Sequence, residues 1–180
     1  MLAQLVAAPF RSRDADHGAR MEAFYAAQAE HYDDFRRRLL HGREDMMRAL
    51  HLPPGAVLVD MGGGTGANLE FLPPDTLAAL GHAYVVDLSE SLLAVARERA
   101  ERHGWRNVTA VHGDALAFDP GVPVDAVTFS YSLTMIPDWI GALDHARALL
   151  AQNGGRLGVV DFYVSRRWPD RGARHGWLAR

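Results

Sequence analysis

Apolar positions along the chain fall into two kinds of segment that alternate. Short runs are apolar over most of their length: Ala56-Val57-Leu58-Val59 before Asp60, Ala83-Tyr84-Val85-Val86 before Asp87, Asn107-Val108-Thr109-Ala110-Val111, then residues 124–130 and 156–162. Runs of this length and density suit strands buried on both faces. Between them the apolar residues recur at helical spacing. Ser89 is placed to cap a helix with Leu92, Leu93, Val95, Ala96 and Ala100 on one face. Residues 139–150 form another with Ile140, Leu143, Ala146, Leu149 and Leu150 inward, stopped by Gly154-Gly155, and residues 67–72 start a helix after a glycine cluster. Ahead of the first strand, Phe24, Tyr25, Tyr32, Phe35, Leu39, Leu40, Met46, Met47 and Leu50 predict one or two amphipathic helices over residues 21–50, interrupted near Gly42. Strands alternating with helices predict a parallel α/β sheet with right-handed crossovers.

The length, 180 residues, suits one domain, and the apolar and charged fractions, 48% and 23%, are those of an ordinary globular chain. A net charge of −3 provides no basic field for nucleic acid. Cys is absent, which excludes disulfides, thiolate metal sites and cysteine nucleophiles and fits a reducing cytoplasm. No metal site is expected. No segment approaches the roughly 18 apolar residues of a membrane span. Residues 1–9 are apolar, but Arg11 and Arg13 follow them instead of preceding them, so the start is read as an N-terminal extension and not a signal peptide.

The candidate chemistry is Asp60-Met61-Gly62-Gly63-Gly64-Thr65-Gly66, a strand ending in an acid and running into glycines. Gly62, Gly64 and Gly66 permit positive φ and let backbone approach a ligand with no Cβ between. Gly62-x-Gly64-x-x-Ala67 also satisfies the dinucleotide fingerprint, with Asp87 about 20 residues beyond, so the glycines alone leave a nicotinamide or flavin enzyme open. Asp87 ends the second strand, where the two hydroxyls of a ribose can chelate one carboxylate through charge-assisted hydrogen bonds. Ligands of open α/β sheets bind at the carboxyl ends of the strands, where Asp60, Asp87 and Asp114 all lie.

Three features shift the balance. The pattern Asp-x-Gly-x-Gly-x-Gly from Asp60, the long segment before the first strand, and His112-Gly113-Asp114-Ala115 after the third strand resemble the class I S-adenosylmethionine-dependent methyltransferases. The resemblance implies a Rossmann-like, mostly parallel sheet with flanking helices and S-adenosylmethionine as cofactor. Asp60 would lie near the cationic amino-acid end of the cofactor, Leu88 beside the adenine, and Asp114 at the adenine amino group. The implied cofactor set is Tyr32, Asp60, Gly62, Gly64, Gly66, Asp87, Leu88, Asp114, Ala115 and Ser130.

A longer set of segments is similar to one subfamily: Phe24-Tyr25-x-x-Gln28-Ala29-x-x-Tyr32-Asp33, Leu40-His41-Gly42-Arg43-Glu44, residues 129–139, and Gly158-Val159-Val160-Asp161-Phe162-Tyr163. These resemble the N-methyltransferase of betaine-lipid (diacylglyceryl-trimethylhomoserine) synthesis over residues 18–175. The resemblance implies a lipid amine as acceptor, peripheral contact with the inner face of the membrane, and an aminocarboxypropyl transferase acting upstream. An attacking amine must be neutral, so Tyr131, Asp161 and Tyr163, which follow the fourth and fifth strands, are the candidate catalytic residues. Aromatic faces at Tyr25, Tyr32 and Tyr131 can hold a methylated ammonium. Arg166, Arg167, Arg171, Arg174 and Arg180, with Trp168 and Trp177, suit an anionic surface. Met135 and Ile136 are read as core, with Pro137 opening the next helix. Other small acceptors, a quinone ring or a small amine, would use the same sheet and turn. A non-catalytic cofactor-binding module is a third reading.

The domain reading is an N-terminal extension over residues 1–20, a helical cofactor lid over 21–52, an α/β core over 53–165 and a basic tail over 166–180. The family sheet has seven strands, the last two forming an antiparallel edge. Five are legible before Arg180, so the last two are expected to be missing and the edge of the fifth to lie exposed.

Overall fold

The computed structural model describes residues 19, 22, 39–151 and 154–162. Tyr25, Tyr32, Tyr163, the basic tail, most of the N-terminal extension and most of the lid fall outside the described residues. Five parallel strands form one sheet in the order β3-β2-β1-β4-β5: β1 (Val57–Met61), β2 (His82–Asp87), β3 (Val108–His112), β4 (Ala126–Ser130) and β5 (Arg156–Val160). The reversal of strand order lies at β1, between β2 and β4, which makes the carboxyl end of β1 the place where a ligand cleft opens. The glycine cluster begins at that corner.

The central strands β1, β2 and β4 are mostly apolar because both of their faces are largely covered. Leu58, Ala83, Val85 and Ala126 face one core with Met47, Leu69, Leu77, Leu93 and Ala96. Val59, Met61, Val86, Val127 and Phe129 face the other with Ala142, Ala146, Leu149 and Leu150. Every residue of β4 is buried. The helices are α1 (Arg43–Ala49), α2 (Pro74–Ala79), α3 (Glu90–His103) and α4 (Trp139–Leu150). The interruption at Gly42 is an N-cap at φ 81°, where glycine bears the left-handed backbone that begins α1.

Several sequence expectations need correction. Residues 67–72 do not start a long helix: Ala67–Phe71 is a 3-10 helix, because Pro73 and Pro74 remove two donors directly after it. Ile140 does not point inward; it is 58% exposed, since the buried face of α4 runs through Ala142, Ala146, Leu149 and Leu150. Pro137 precedes α4, and Asp138 is its cap, accepting from the Gly141 amide. Ser89 caps α3 as expected, its side chain accepting from the Leu92 amide. Among the described residues β5 pairs with β4 alone, and Leu157 and Val159 on it are exposed.

Candidate active site

The turn after β1 is held by its neighbours in sequence order. Gly62 and Gly63 amides both donate to the Val86 carbonyl, at 2.8 and 3.1 Å, and the Gly66 amide returns to Gly63 at 3.1 Å. Gly62, Gly64 and Gly66 have φ of 65, 56 and 69°, the left-handed region that a side chain disfavours. The space around two of them is already filled by protein. A Cβ on Gly62 would lie 2.5 Å from the Ser132 Cβ, and one on Gly63 would lie 2.8 Å from a Val85 methyl. The glycines therefore serve both the curvature of the turn and its close packing under β4 and β2.

Asp87 is half-buried at the end of β2. Its Oδ2 accepts from the Gly64 amide at 2.8 Å and its Oδ1 from the Ser89 amide at 2.9 Å. Two backbone donors on opposite oxygens fix the orientation of the carboxylate. Such an oriented acceptor pair beside a bare backbone turn fits the vicinal hydroxyls of a ribose, so the donor and acceptor set suits an adenosyl ligand. Leu88 lies next in the chain, half-buried, and its carbonyl accepts from His112 Nε2 at 3.0 Å. Asp114 and Ala115 follow β3. Asp114 is exposed with Oδ1 accepting from the Leu116 amide at 2.9 Å, and Ala115 is buried. Asp87, Leu88, Asp114 and Ala115 thus line adjacent carboxyl ends of β2 and β3.

Asp60 is placed differently from its neighbours. It is wholly buried; Oδ1 accepts from Thr128 Oγ1 at 2.7 Å and Oδ2 from Asn68 Nδ2 at 2.8 Å. Ser130, also buried, donates from Oγ to Asn68 Oδ1 at 3.3 Å. Asp60, Asn68, Thr128 and Ser130 form one polar network under the turn, in which a carboxylate removed from water is satisfied by hydroxyl and amide donors. Asn68 was not singled out by sequence. The available signal was a polar residue inside the apolar stretch 67–72.

On the β4–β5 side, Tyr131 has φ 54°, its hydroxyl donates to the His41 carbonyl at 2.8 Å, and its ring meets Phe162 edge-on at 5.0 Å. Asp161 accepts from the Thr134 amide at 3.1 Å, from Thr134 Oγ1 at 2.9 Å and from its neighbour Phe162 N at 2.7 Å. It clasps the segment after β4 to the end of β5. Ser132 Oγ donates to the Met61 carbonyl at 2.8 Å, fixing the same segment to β1. Ser132 and Thr134 carry these ties although sequence offered them only as members of a hydroxyl-rich stretch.

Glu22, from the segment before β1, reaches the start of α3: Oε2 accepts from Ser89 Oγ at 2.8 Å and the Ser91 amide at 3.3 Å. Partial burial pushes its carboxyl up, but these hydrogen bonds outweigh it and hold the group below the usual carboxylate value.

Comparison with known proteins places the arrangement. A family model described as a methyltransferase domain matches residues 59–157, more than half of the chain. A demethylmenaquinone methyltransferase from Anoxybacillus flavithermus is 26% identical over 144 residues, 77% of this chain and 60% of the relative. Its counterpart from Geobacillus kaustophilus is 28% identical over 141 residues, 75% and 60% of the two chains. The chain spans about 60% of the length of these curated relatives. Among solved structures, an S-adenosylmethionine-dependent methyltransferase from Aquifex aeolicus superposes with a TM-score of 0.61 at 20% identity, over 82% of this chain and 77% of that one. One from Methanococcus maripaludis gives 0.62 at 17% identity, over 74% and 62%. These two structures share the fold, and with it the expected Rossmann-like sheet is borne out.

Proposed function

The chain belongs to the methyltransferase domain family, and from that premise we propose that it is an S-adenosylmethionine-dependent methyltransferase acting on a quinone-type ring. The observation that carries the cofactor is Asp87, oriented by the Gly64 and Ser89 amides at the carboxyl end of β2. When bound, S-adenosylmethionine supplies an electrophilic methyl group. The residues of this chain bind and orient: Asp87 for the ribose, Leu88 and Ala115 for the adenine, the backbone from Gly62 to Gly66 for the amino-acid end. Transfer from a sulfonium is an in-line displacement, so alignment of donor and acceptor is the main demand on the site.

Three observations support a ring acceptor over the lipid amine that the subfamily resemblance implied. Relatives similar to this chain are named for demethylmenaquinone. Asp161, the carboxylate offered as the amine's base, is engaged by Thr134 and Phe162 N–H. Trp139 and Ile140, at the start of α4, and Phe162, just past β5, are 50, 58 and 60% exposed, large apolar groups on the segments that follow β4 and β5 and of the kind that can meet a ring. In this reading Tyr131, whose ring meets Phe162 edge-on, borders the acceptor. The test is incubation with methyl-labelled S-adenosylmethionine and either a demethylated quinol or diacylglyceryl-homoserine in detergent. Label is expected in the quinol fraction. Label in the lipid amine instead would restore the amine reading, and label in neither would defeat both.

A further inference from the structure

We propose that Arg99, in the third turn of α3, is a positioning residue that sets the curvature of the glycine turn and with it affinity for the adenosyl ligand; this rests on the methyltransferase reading. Arg99 is only 7% exposed, rare for an arginine without a task. Its Nη1 donates to the Thr65 carbonyl inside the turn, and its Nε donates to Glu70 Oε1 at 2.8 Å. Glu70 belongs to the 3-10 helix that leaves the turn, so one guanidinium ties the turn to the element that follows it. One helical turn earlier, Ala96 lies against Gly66, 3.5 Å from where its Cβ would stand. The α3 helix therefore presses on the turn with Ala96 and pins it with Arg99.

The same helix begins three residues after Asp87 and is capped by Ser89, whose amide orients the Asp87 carboxylate. One rigid element thus fixes both Asp87 and the turn that Asp87 hydrogen-bonds through Gly64. The Thr65 carbonyl sits between Gly64 and Gly66, both at positive φ, where a peptide plane flips easily. A bond to that carbonyl selects one orientation of the plane and hence the direction of the neighbouring amides. The planar fork of an arginine can serve the carbonyl and the Glu70 carboxylate together; an ammonium is a point charge and serves one well.

The experiment uses the full chain. Amide hydrogen exchange without ligand is followed for residues 62–70 and, as reference, for β4, while S-adenosylhomocysteine binding is measured by calorimetry. Arg99→Met keeps the buried stem and removes the fork. Exchange in the turn is expected to quicken at least tenfold with β4 unchanged, and the dissociation constant to rise at least tenfold. Arg99→Lys is expected to recover less than half of either effect on a logarithmic scale. Should Arg99→Met loosen β4 as well, Glu70→Gln decides, since it spares the stem: a several-fold quickening confined to the turn supports the proposal, and no change overturns it. Unaltered exchange and affinity in Arg99→Met, or full recovery by lysine, also overturn it. Absence of binding by the unsubstituted protein overturns the methyltransferase reading and the affinity half of the proposal, and the ligand-free exchange then reports on the turn alone.

Discussion

Asp60 and Asp87 sit on adjacent strands, and their hydrogen bonds separate their tasks. Asp87 takes two backbone N–H groups at the carboxyl end of β2, beside the glycine turn. Replacing it with alanine is expected to weaken S-adenosylhomocysteine binding by about 2 kcal/mol, roughly thirtyfold, as charge-assisted bonds are lost; calorimetry measures it. Asp60 takes Thr128 and Asn68 in a fully buried site. Asp60→Ala strands both donors and is expected to lower folding stability by about 2–3 kcal/mol, read as a fall in the thermal midpoint. At Gly62 an added methyl would meet the Ser132 Cβ at 2.5 Å on a backbone already at φ 65°. Gly62→Ala is therefore expected to destabilise the fold before any ligand is added, and an unchanged melting curve would show that the segment after β4 yields.

At the scale of elements, α3 joins the most parts of the site. Its cap Ser89 accepts from the Leu92 amide and donates to Glu22, which brings that carboxylate to the start of α3. Because the Glu22 carboxyl lies below its ordinary value of 4.5, the ionised form is the one the fold favours. Its contribution to stability is full above that value and is lost as pH falls through the lowered one. The stability difference between the unsubstituted protein and Glu22→Gln is expected to be constant near neutrality and to shrink only in acid below 4.5, as chemical denaturation at a series of pH values will show. A difference that shrinks on going alkaline would contradict the sign.

At the scale of the whole molecule, among the described residues β1 and β4 lie inside the sheet, and β3 and β5 form its two edges. Among the described residues β5 has one strand neighbour, and a groove of 560 Å³ runs along it, walled by Gly42, Asp45, Met46 and Ala49. Val159 and Leu157 are 46 and 42% exposed on a strand that among the described residues pairs on one side only, the condition under which sheets associate. Self-association that rises with concentration is expected in sedimentation, and Val159→Lys is expected to reduce it without lowering the thermal midpoint. Equal association in the lysine variant would place the contact elsewhere.

Much of this was legible in one dimension. The strands, their parallel sense, the glycine turn and the acids at the strand ends follow from apolar runs alternating with helical periodicity, since a strand covered on both faces leaves no other pattern. Side-chain direction was not legible. That Asp60 enters a buried network under the turn while Asp87 addresses the turn itself depends on Thr128 and Asn68 against Gly64 and Ser89. Those partners are brought together only once β4 has been laid beside β1. Likewise an arginine in a charged helix reads as solvated until the packing of α3 buries it on Thr65 and Glu70. Local periodicity determined the elements because each residue's burial repeats with the backbone. Tertiary structure alone decided which polar groups meet, because those meetings join residues far apart in the chain.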